Sequence, residues 1–378
     1  MELTKCKLGE LITQRREKNN GSDLPICGVS KDGLIPPKQI DADTSIYNVF
    51  YRDDFIFNPA RMELNSIAIN DKFDRAICSS LYEVFYVHRT DLLLPHFLKL
   101  IVKQPWFTRY CEFLGQGSAR EYCRFNNISE IEIEFPSIEE QRKIVQAYKT
   151  ITDRIELKKK INDNLANTEQ AILVETIGKN QTVPTSLGDL IDFIDGDRGK
   201  NYPTFDEFTS TGYCLFLNAS NVTSTGFNFD ACMFVTEEKD TSMNKGHLAP
   251  YDIVLTSRGT LGNVALYDKH VKFENVRINS GMLIIRSKNQ RLSPYFIYVL
   301  LKSSYMKAAI EQFKSGSAQP QLPIKDLQKI TFEIPESDDV LSALDRQILS
   351  IEEQISINKQ EIDNLKDLCS ILLAELSR

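Results

Sequence analysis

The sequence predicts an α+β chain built as a globule-helix-globule-helix pseudo-repeat. Two β-rich globules are separated by two long helices that pair as a coiled coil. Three observations predict this. First, "GSAREYCRFNNISEIEIEFP" at 117–136 returns as "GSAQPQLPIKDLQKITFEIP" at 316–335, each opening on Gly-Ser-Ala and closing on proline. Second, residues 137–177 and 337–378 contain neither glycine nor proline and carry apolar residues at helical spacing. Third, short runs rich in β-branched and aromatic residues, punctuated by Asn, Asp, Gly and Ser, fill the rest.

Composition sets the bounds. A chain of 378 residues with 42% hydrophobic and 10% aromatic residues has length for two domains with real cores. No apolar run approaches the ~20 residues of a membrane span. The opening "MELTKCKLGELITQRREK" is too charged for a secretory signal. The eight cysteines contain no CxxC pair, which excludes a recognisable zinc framework and points to reduced thiols and a cytoplasmic location.

The first globule is expected over 1–136. Its "KLGELI" (7–12) matches "SLGDLI" (186–191), and "YRDDFIFNPAR" (51–61) echoes "APYDIVLTSRG" (249–259), aligning Asp54 with Asp252. "LLLPHFLKLIVK" (92–103) matches "RLSPYFIYVLLK" (291–302). The two segments "PHFLKLIVKQPWFTRYCEFL" and "PYFIYVLLKSSYMKAAIEQF" read as the helical part of otherwise β-dominated domains, with strands at "SIAI", "YEVFYV", "EIEIEF", "DIVLTS", "GMLIIRS" and "KITFEI". A period near 200 residues is too long for a solenoid and marks a duplicated domain.

The first helix is expected over 137–178, the second globule over 179–335 and the second helix over 336–378. In the last helix Leu344, Ile348, Ile351, Ile355, Ile362, Leu365, Cys369, Leu372 and Leu376 form a heptad seam whose missing member is Asn358. Two hundred residues earlier stand Ile144, Tyr148, Ile151, Ile155, Leu165 and Ile172, with Lys158, Asn162 and Glu169 as polar members. Helices this long with matched polar breaks are expected to pair with each other, the polar break fixing register.

Charge is unevenly spread. The net −7 resolves into −2 for 1–136, +1 for 137–180, 0 for 181–335 and −6 for 336–378. Both globules are near neutral, so charge neither supports nor excludes nucleic acid, which needs a local basic face. The acidic last helix suits a basic partner rather than DNA.

No catalytic centre is legible. "FLGQG" (113–117) imitates the FxGxG loop of methyltransferases but follows a helix, and its counterpart "FKSGS" lacks the first glycine. "FNPAR" (57–61) lacks the second proline and the aromatic of an amino-methyltransferase loop, and "RGTLG" (258–262) is not a P-loop. The four histidines show no metal spacing, and Asp53-Asp54 reads as a solvated turn at a strand edge.

The sequence offers polar loops instead. In "DGDRGKNYP" (195–203), Arg198, Lys200, Asn201 and Tyr202 combine a bidentate fork, a point charge, an amide and an aromatic platform. Arg reads guanine edges and Asn or Gln adenine edges in the major groove. "TSRGTLGN" and "RINSG" add Arg258, Thr260, Asn263, Asn279 and Ser280. The corresponding first-half positions are Asn58, Arg61, Arg75, Ser79 and Ser80, and Ser118 and Arg120 stand where the second copy has Ser317 and Gln319. The alternative reading is a solvated turn at 195–203 and a hairpin turn at Gly259 and Gly262, which does not explain Arg258.

With these segments, and with "PSIEEQRKI" opening the first helix, the chain resembles the specificity (S) subunit of type I restriction-modification systems over essentially its full length. The resemblance implies that each globule is a target recognition domain and that the helices form an antiparallel coiled coil. It implies a non-catalytic subunit reading a bipartite, asymmetric double-stranded DNA target. The expected partners are two modification (methyltransferase) subunits and restriction (motor/nuclease) subunits, with no membrane. No cofactor is expected on this chain, S-adenosylmethionine and ATP belonging to the partners. Two alternatives stay open: a self-contained DNA methyltransferase or nuclease, and a coiled-coil scaffold that binds only proteins.

Overall fold

The computed structural model describes residues 3–37, 40, 43–115, 122–288, 291–313 and 321–376. The chain forms two compact units, Met1–Glu156 with Asp363–Arg378, and Leu157–Ile362. Among the described residues no helix is long and apolar enough to cross a membrane.

In the first unit, strands Ile12–Arg15, Glu83–Val87, Phe55–Phe57 and Ile67–Ile69 lie side by side in that order, all antiparallel. Aromatic and β-branched residues make the inner face, where Phe55 stacks on Phe85 with centroids 5.0 Å apart. A second sheet contains Ile26–Ser30, Gly33–Ile35, Asn48–Tyr51 and Arg75–Cys78, with Ile26–Ser30 running parallel to Arg75–Cys78. Helices Pro95–Val102 and Pro105–Gly115 cover the first sheet and bury Phe97, Ile101 and Phe107 in its core. The helical segment breaks at Gln104 because Pro105 has no N–H to continue the ladder. Thr4–Lys7 pairs antiparallel with Glu132–Phe135, closing the domain on itself.

The second unit repeats the plan. Strands Ile191–Asp195, Met282–Ser287, Ile253–Thr256 and Val264–Leu266 stand in the same order and orientation. Cys214–Leu217 runs parallel to Val276–Ile278, as Ile26–Ser30 does to its neighbour. Helices Pro294–Lys302 and Ser304–Phe313 cover the sheet, and Thr182–Ser186 pairs with Thr331–Pro335. Register is shared too: Phe55 faces Phe85 as Ile253 faces Ile285, and Ile12 faces Val87 as Ile191 faces Ser287. The α+β duplicated architecture expected from the sequence is the one observed.

One expectation is corrected. Asp54 is not a solvated turn residue: it is 2% exposed and accepts Arg15 Nε at 2.6 Å, Arg15 Nη2 at 3.1 Å and the Tyr51 amide at 2.7 Å. Burial raises its pKa, and the Arg15 contact opposes that rise. Asp252 repeats the arrangement, accepting Arg286 Nε and Nη2 at 2.7 Å each and the Ala249 amide at 2.7 Å. A buried carboxylate persists in both copies because each holds a tight turn and a paired guanidinium at once.

The long helices run Ile138–Lys179 and Asp338–Glu375. Each starts on a serine two hundred residues from the other: Ser137 Oγ accepts the Glu140 amide and Ser337 Oγ the Val340 amide, with acidic residues in both first turns. Buried Gln141 fixes the first start by donating to the carbonyls of Leu92 and Pro136 and accepting from the Leu94 amide. Ile144, Tyr148, Ile151, Ile155, Leu165 and Ile172 on the first helix are buried or half-buried. So are Leu344, Ile348, Ile351, Ile355, Ile362, Leu365, Cys369, Leu372 and Leu376 on the second. Within the second unit the pairing is antiparallel: Lys158 reaches Glu361 at 2.8 Å, and Asn162 reaches the Ile355 carbonyl at 3.4 Å. Within the first unit, Leu376 packs with Ile144 on the core.

Candidate nucleic-acid interface

The second unit carries the better-defined site. At Gly196 the chain leaves the sheet so close to Asn279 that an added Cβ would stand 2.3 Å from its carbonyl oxygen, so no larger residue passes here. Asp197 then pins the loop, accepting the Gly199 amide at 2.6 Å and the Asn244 amide at 2.7 Å. These amide bonds, the Gly199 one first, hold its carboxyl below the usual carboxylate range.

On this fixed loop Arg198 is exposed, with Nη2 at 3.0 Å from Asp195 Oδ1 and 3.4 Å from the Ser280 carbonyl. Lys200 is exposed. Asn201 spends its Nδ2 on the Ser242 carbonyl at 2.7 Å. Tyr202 is half-buried, edge-on to Phe216 with centroids 5.6 Å apart. The loop therefore presents two cations, while its amide and ring help to anchor it.

Arg258 begins the turn between Ile253–Thr256 and Val264–Leu266. Its backbone bridges Gln321, and its guanidinium has no side-chain partner among the described residues. Gly259 and Gly262 both have positive φ, which the tight turn requires. Thr260 is exposed, Asn263 donates Nδ2 to the Val222 carbonyl, and Asn279 Oδ1 accepts the Gly281 amide, leaving Ser280 half-buried at the turn. Together, Asp195, Arg198, Ser257, Arg258, Gln321 and Lys325 line an open cleft of about 270 Å³. Three cations face one carboxylate there. Gln321 and Lys325 were missed in the sequence, although both lie inside the repeated 316–335 stretch. Gln319 lies outside the described residues.

The first unit disposes its candidates differently. Asn58 caps a short helical turn through the Ala60 amide, and Arg61 beyond it is exposed. Arg75 is tied to Glu17 at 2.9 Å beside Tyr51. Ser79 Oγ accepts the Leu81 amide, and Ser80 is half-buried. Arg120 lies outside the described residues. By the shared register, Arg16 and Glu83 occupy the places of Asp195 and Leu283. Glu83 accepts from Gln14 at 3.3 Å and from the Phe125 amide at 2.7 Å, and it pairs with Arg124 at 3.5 Å. The two copies thus share a frame and differ in the chemistry at its rim.

A Cys214, Asp240 and His247 cluster brings its ligand atoms within 4.8 Å of one another. Buried Arg277 already supplies the positive charge, with Nε 2.7 Å from Asp240 Oδ1 and Nη2 2.9 Å from the Asp240 carbonyl. Two cations on one carboxylate repel, so the cluster reads as a structural anchor for the 237–247 segment.

Comparison with known proteins agrees with this frame. The family model for the type I restriction modification DNA specificity domain matches residues 4–167 and again 181–366. The chain is 23% identical over 305 residues to the type I restriction enzyme MjaIX specificity subunit of Methanocaldococcus jannaschii, covering 76% of this chain and 69% of that protein. In fold it resembles the type I restriction-modification S subunit of M. genitalium, with a TM-score of 0.58, 17% identity, and coverage of 100% of this chain and 96% of that one. A structure concerned with complex assembly of a type I R-M system matches with a TM-score of 0.47 and 19% identity, over 100% and 97% of the two chains.

The repeated sheet with its polar rim is a duplicated domain, and the family match makes each copy a DNA specificity domain. The chain belongs to the type I restriction-modification DNA specificity family, and it is a specificity subunit.

Proposed function

We propose that this chain reads a bipartite, asymmetric DNA target, one half-site per globule, and holds two modification subunits and the restriction subunits of a type I complex on it. The observation that carries this is the pairing of one frame with two rims. The second globule offers Arg198, Arg258 and Lys325 where strand register gives the first globule a different set, with Arg16 and Glu83 replacing Asp195 and Leu283. Identical readers would call for a symmetric site, and diverged readers call for unequal half-sites.

The domain limits read from the sequence, 1–136, 137–178, 179–335 and 336–378, describe the reading halves and the helices that bear them. Arg198, Lys200, Arg258 and Thr260 in the second globule, and Arg61 in the first, are exposed or half-exposed and free to meet DNA. Exposed Leu157, Ile161 and Ile357 on the helices of the second unit offer apolar area for a modification subunit. S-adenosylmethionine and ATP chemistry rests with the partners, and the complex works in the cytoplasm.

The test is retardation of a bipartite duplex against a scrambled one by the chain assembled with modification subunits. Selective binding of the bipartite duplex supports the reading. Methyl transfer by this chain alone, or equal binding of both duplexes, overturns it.

A further inference from the structure

We infer that Leu81 reads a thymine methyl group in the first half-site, at the place in the fold where the second globule has Gly281 beside Arg258. This rests on the proposed function and assigns it a specific contact.

Strand register makes the comparison. Phe55 faces Phe85 as Ile253 faces Ile285; counting on past the strand ends sets Leu81 against Gly281 and Ala60, in the helical turn Pro59–Leu64, against Arg258. In the second globule these two positions touch. The Gly281 carbonyl accepts the amides of Ser257 at 2.9 Å and Arg258 at 3.1 Å. A Cβ added to Gly281 would lie 3.7 Å from Arg258 Cβ and 3.3 Å from Asn279 Oδ1. A side chain at 281 would therefore stand beside the root of the arginine, its Cβ in ordinary van der Waals contact. The first globule inverts the pair: position 60 shrinks to exposed alanine, and position 81 carries leucine, 79% exposed.

That leucine sits on a fixed turn. The Leu81 amide donates to Ser79 Oγ at 3.3 Å and the Tyr82 amide to the Ser79 carbonyl at 3.0 Å. Asn48 Nδ2 holds the Tyr82 carbonyl at 2.7 Å, and Cys78 and Val84 are buried on either side. A leucine side chain held out on this turn forgoes burial in the free protein and can recover it against a ligand. Two exposed arginines belong to the contacts around Glu83, two residues further along the chain. Arg124 pairs with Glu83, and Arg16 donates to Gln14, which itself donates to Glu83.

An exposed apolar tip matches the thymine C5-methyl in the major groove, and exposed Arg16 and Arg124, tied in around Glu83, suit the phosphates. A guanidinium in the same place suits guanine. The inversion therefore predicts an A·T pair in the first half-site where the second reads G·C.

The test uses the chain assembled with modification subunits and a duplex carrying its mapped methylation site. Each thymine of the first half-site is replaced in turn by deoxyuridine, which removes only the methyl. One replacement should weaken wild-type binding about four-fold, the equivalent of one buried carbon. Leu81→Ala should bind the thymine duplex weakly and lose nothing further on that replacement, whereas Leu81→Ile should keep the sensitivity. Deoxyuridine in the second half-site should leave the Leu81→Ala difference unchanged. A first half-site without thymine, or equal deoxyuridine effects in wild type and Leu81→Ala, overturns the inference while selective bipartite binding leaves the proposed function standing.

Discussion

Asn358 donates its Nδ2 hydrogen to Asn162 Oδ1 across 2.7 Å, joining the two helix seams at their polar members. Lys158 Nζ donates to Asn358 Oδ1 at 2.9 Å and pairs with Glu361 at 2.8 Å, while Gln354 Nε2 reaches the same Asn358 oxygen at 3.1 Å. Asn358 is 1% exposed. A shift of either helix by one turn would leave these groups buried and unpaired, so the network fixes register.

Asn358→Leu removes one member and strands the others. It should destabilise the second unit by about 1–3 kcal/mol, read from denaturant unfolding. The double variant Asn162→Leu/Asn358→Leu should recover most of that loss, because an apolar pair needs no partners. A single variant as stable as wild type would show the network to be incidental.

A charge in the apolar part of the seam should do more. Leu365 is half-buried on the last helix, and Leu365→Asp places a carboxylate on a seam of apolar side chains. The expected cost is about 2–3 kcal/mol, with weaker capture of modification subunits. Normal melting and normal capture would put the seam elsewhere on the helix.

The second unit should lose stability as pH rises. Glu169, fully buried, shares Lys302 with Glu352, the Nζ lying 2.8 Å and 3.3 Å from their oxygens. Buried Tyr298, with its ring centroid 4.6 Å from Lys302 Nζ, and Lys359 close the same space. Burial first, and the Glu352 charge second, push the Glu169 pKa up to about 8 from 4.5, with Lys302 opposing. A carboxyl that holds its proton more tightly when folded contributes stability that is full below pH 4.5. That contribution is lost as pH climbs through about 8. Glu169→Gln cannot ionise, so the stability difference between variant and wild type should shift in the variant's favour between pH 5 and 8. Parallel pH profiles of melting temperature would contradict this.

Much of the architecture was legible because the duplication is written in spacing. The Gly-Ser-Ala to proline intervals, the glycine-free helices and Asp54 aligned with Asp252 all survive divergence. The partners of those two aspartates were not legible. Arg15 comes from the edge strand Ile12–Arg15 and Arg286 from its neighbour Met282–Ser287, so the repeat keeps the carboxylate and changes the strand that supplies the guanidinium. No local pattern marks a pair 39 or 34 residues apart. In the candidate site, sequence showed which loops carry polar groups but not how those groups are spent. Asn201 and Tyr202 are drawn inward by Ser242 and Phe216, whereas Gln321 and Lys325 are brought to the cleft by the bridge to Arg258.

Mapping methylated bases in cells that express the chain with its partner subunits tests the central claim most directly, using wild type, Arg198→Ala and Arg258→Ala. The wild-type map should show one bipartite sequence with unequal halves. Each arginine variant should relax base preference in one half only, a lost bidentate contact costing about 1–3 kcal/mol of discrimination. A contiguous target, or uniform weakening of both halves by either variant, would contradict the account of two independent readers on one chain.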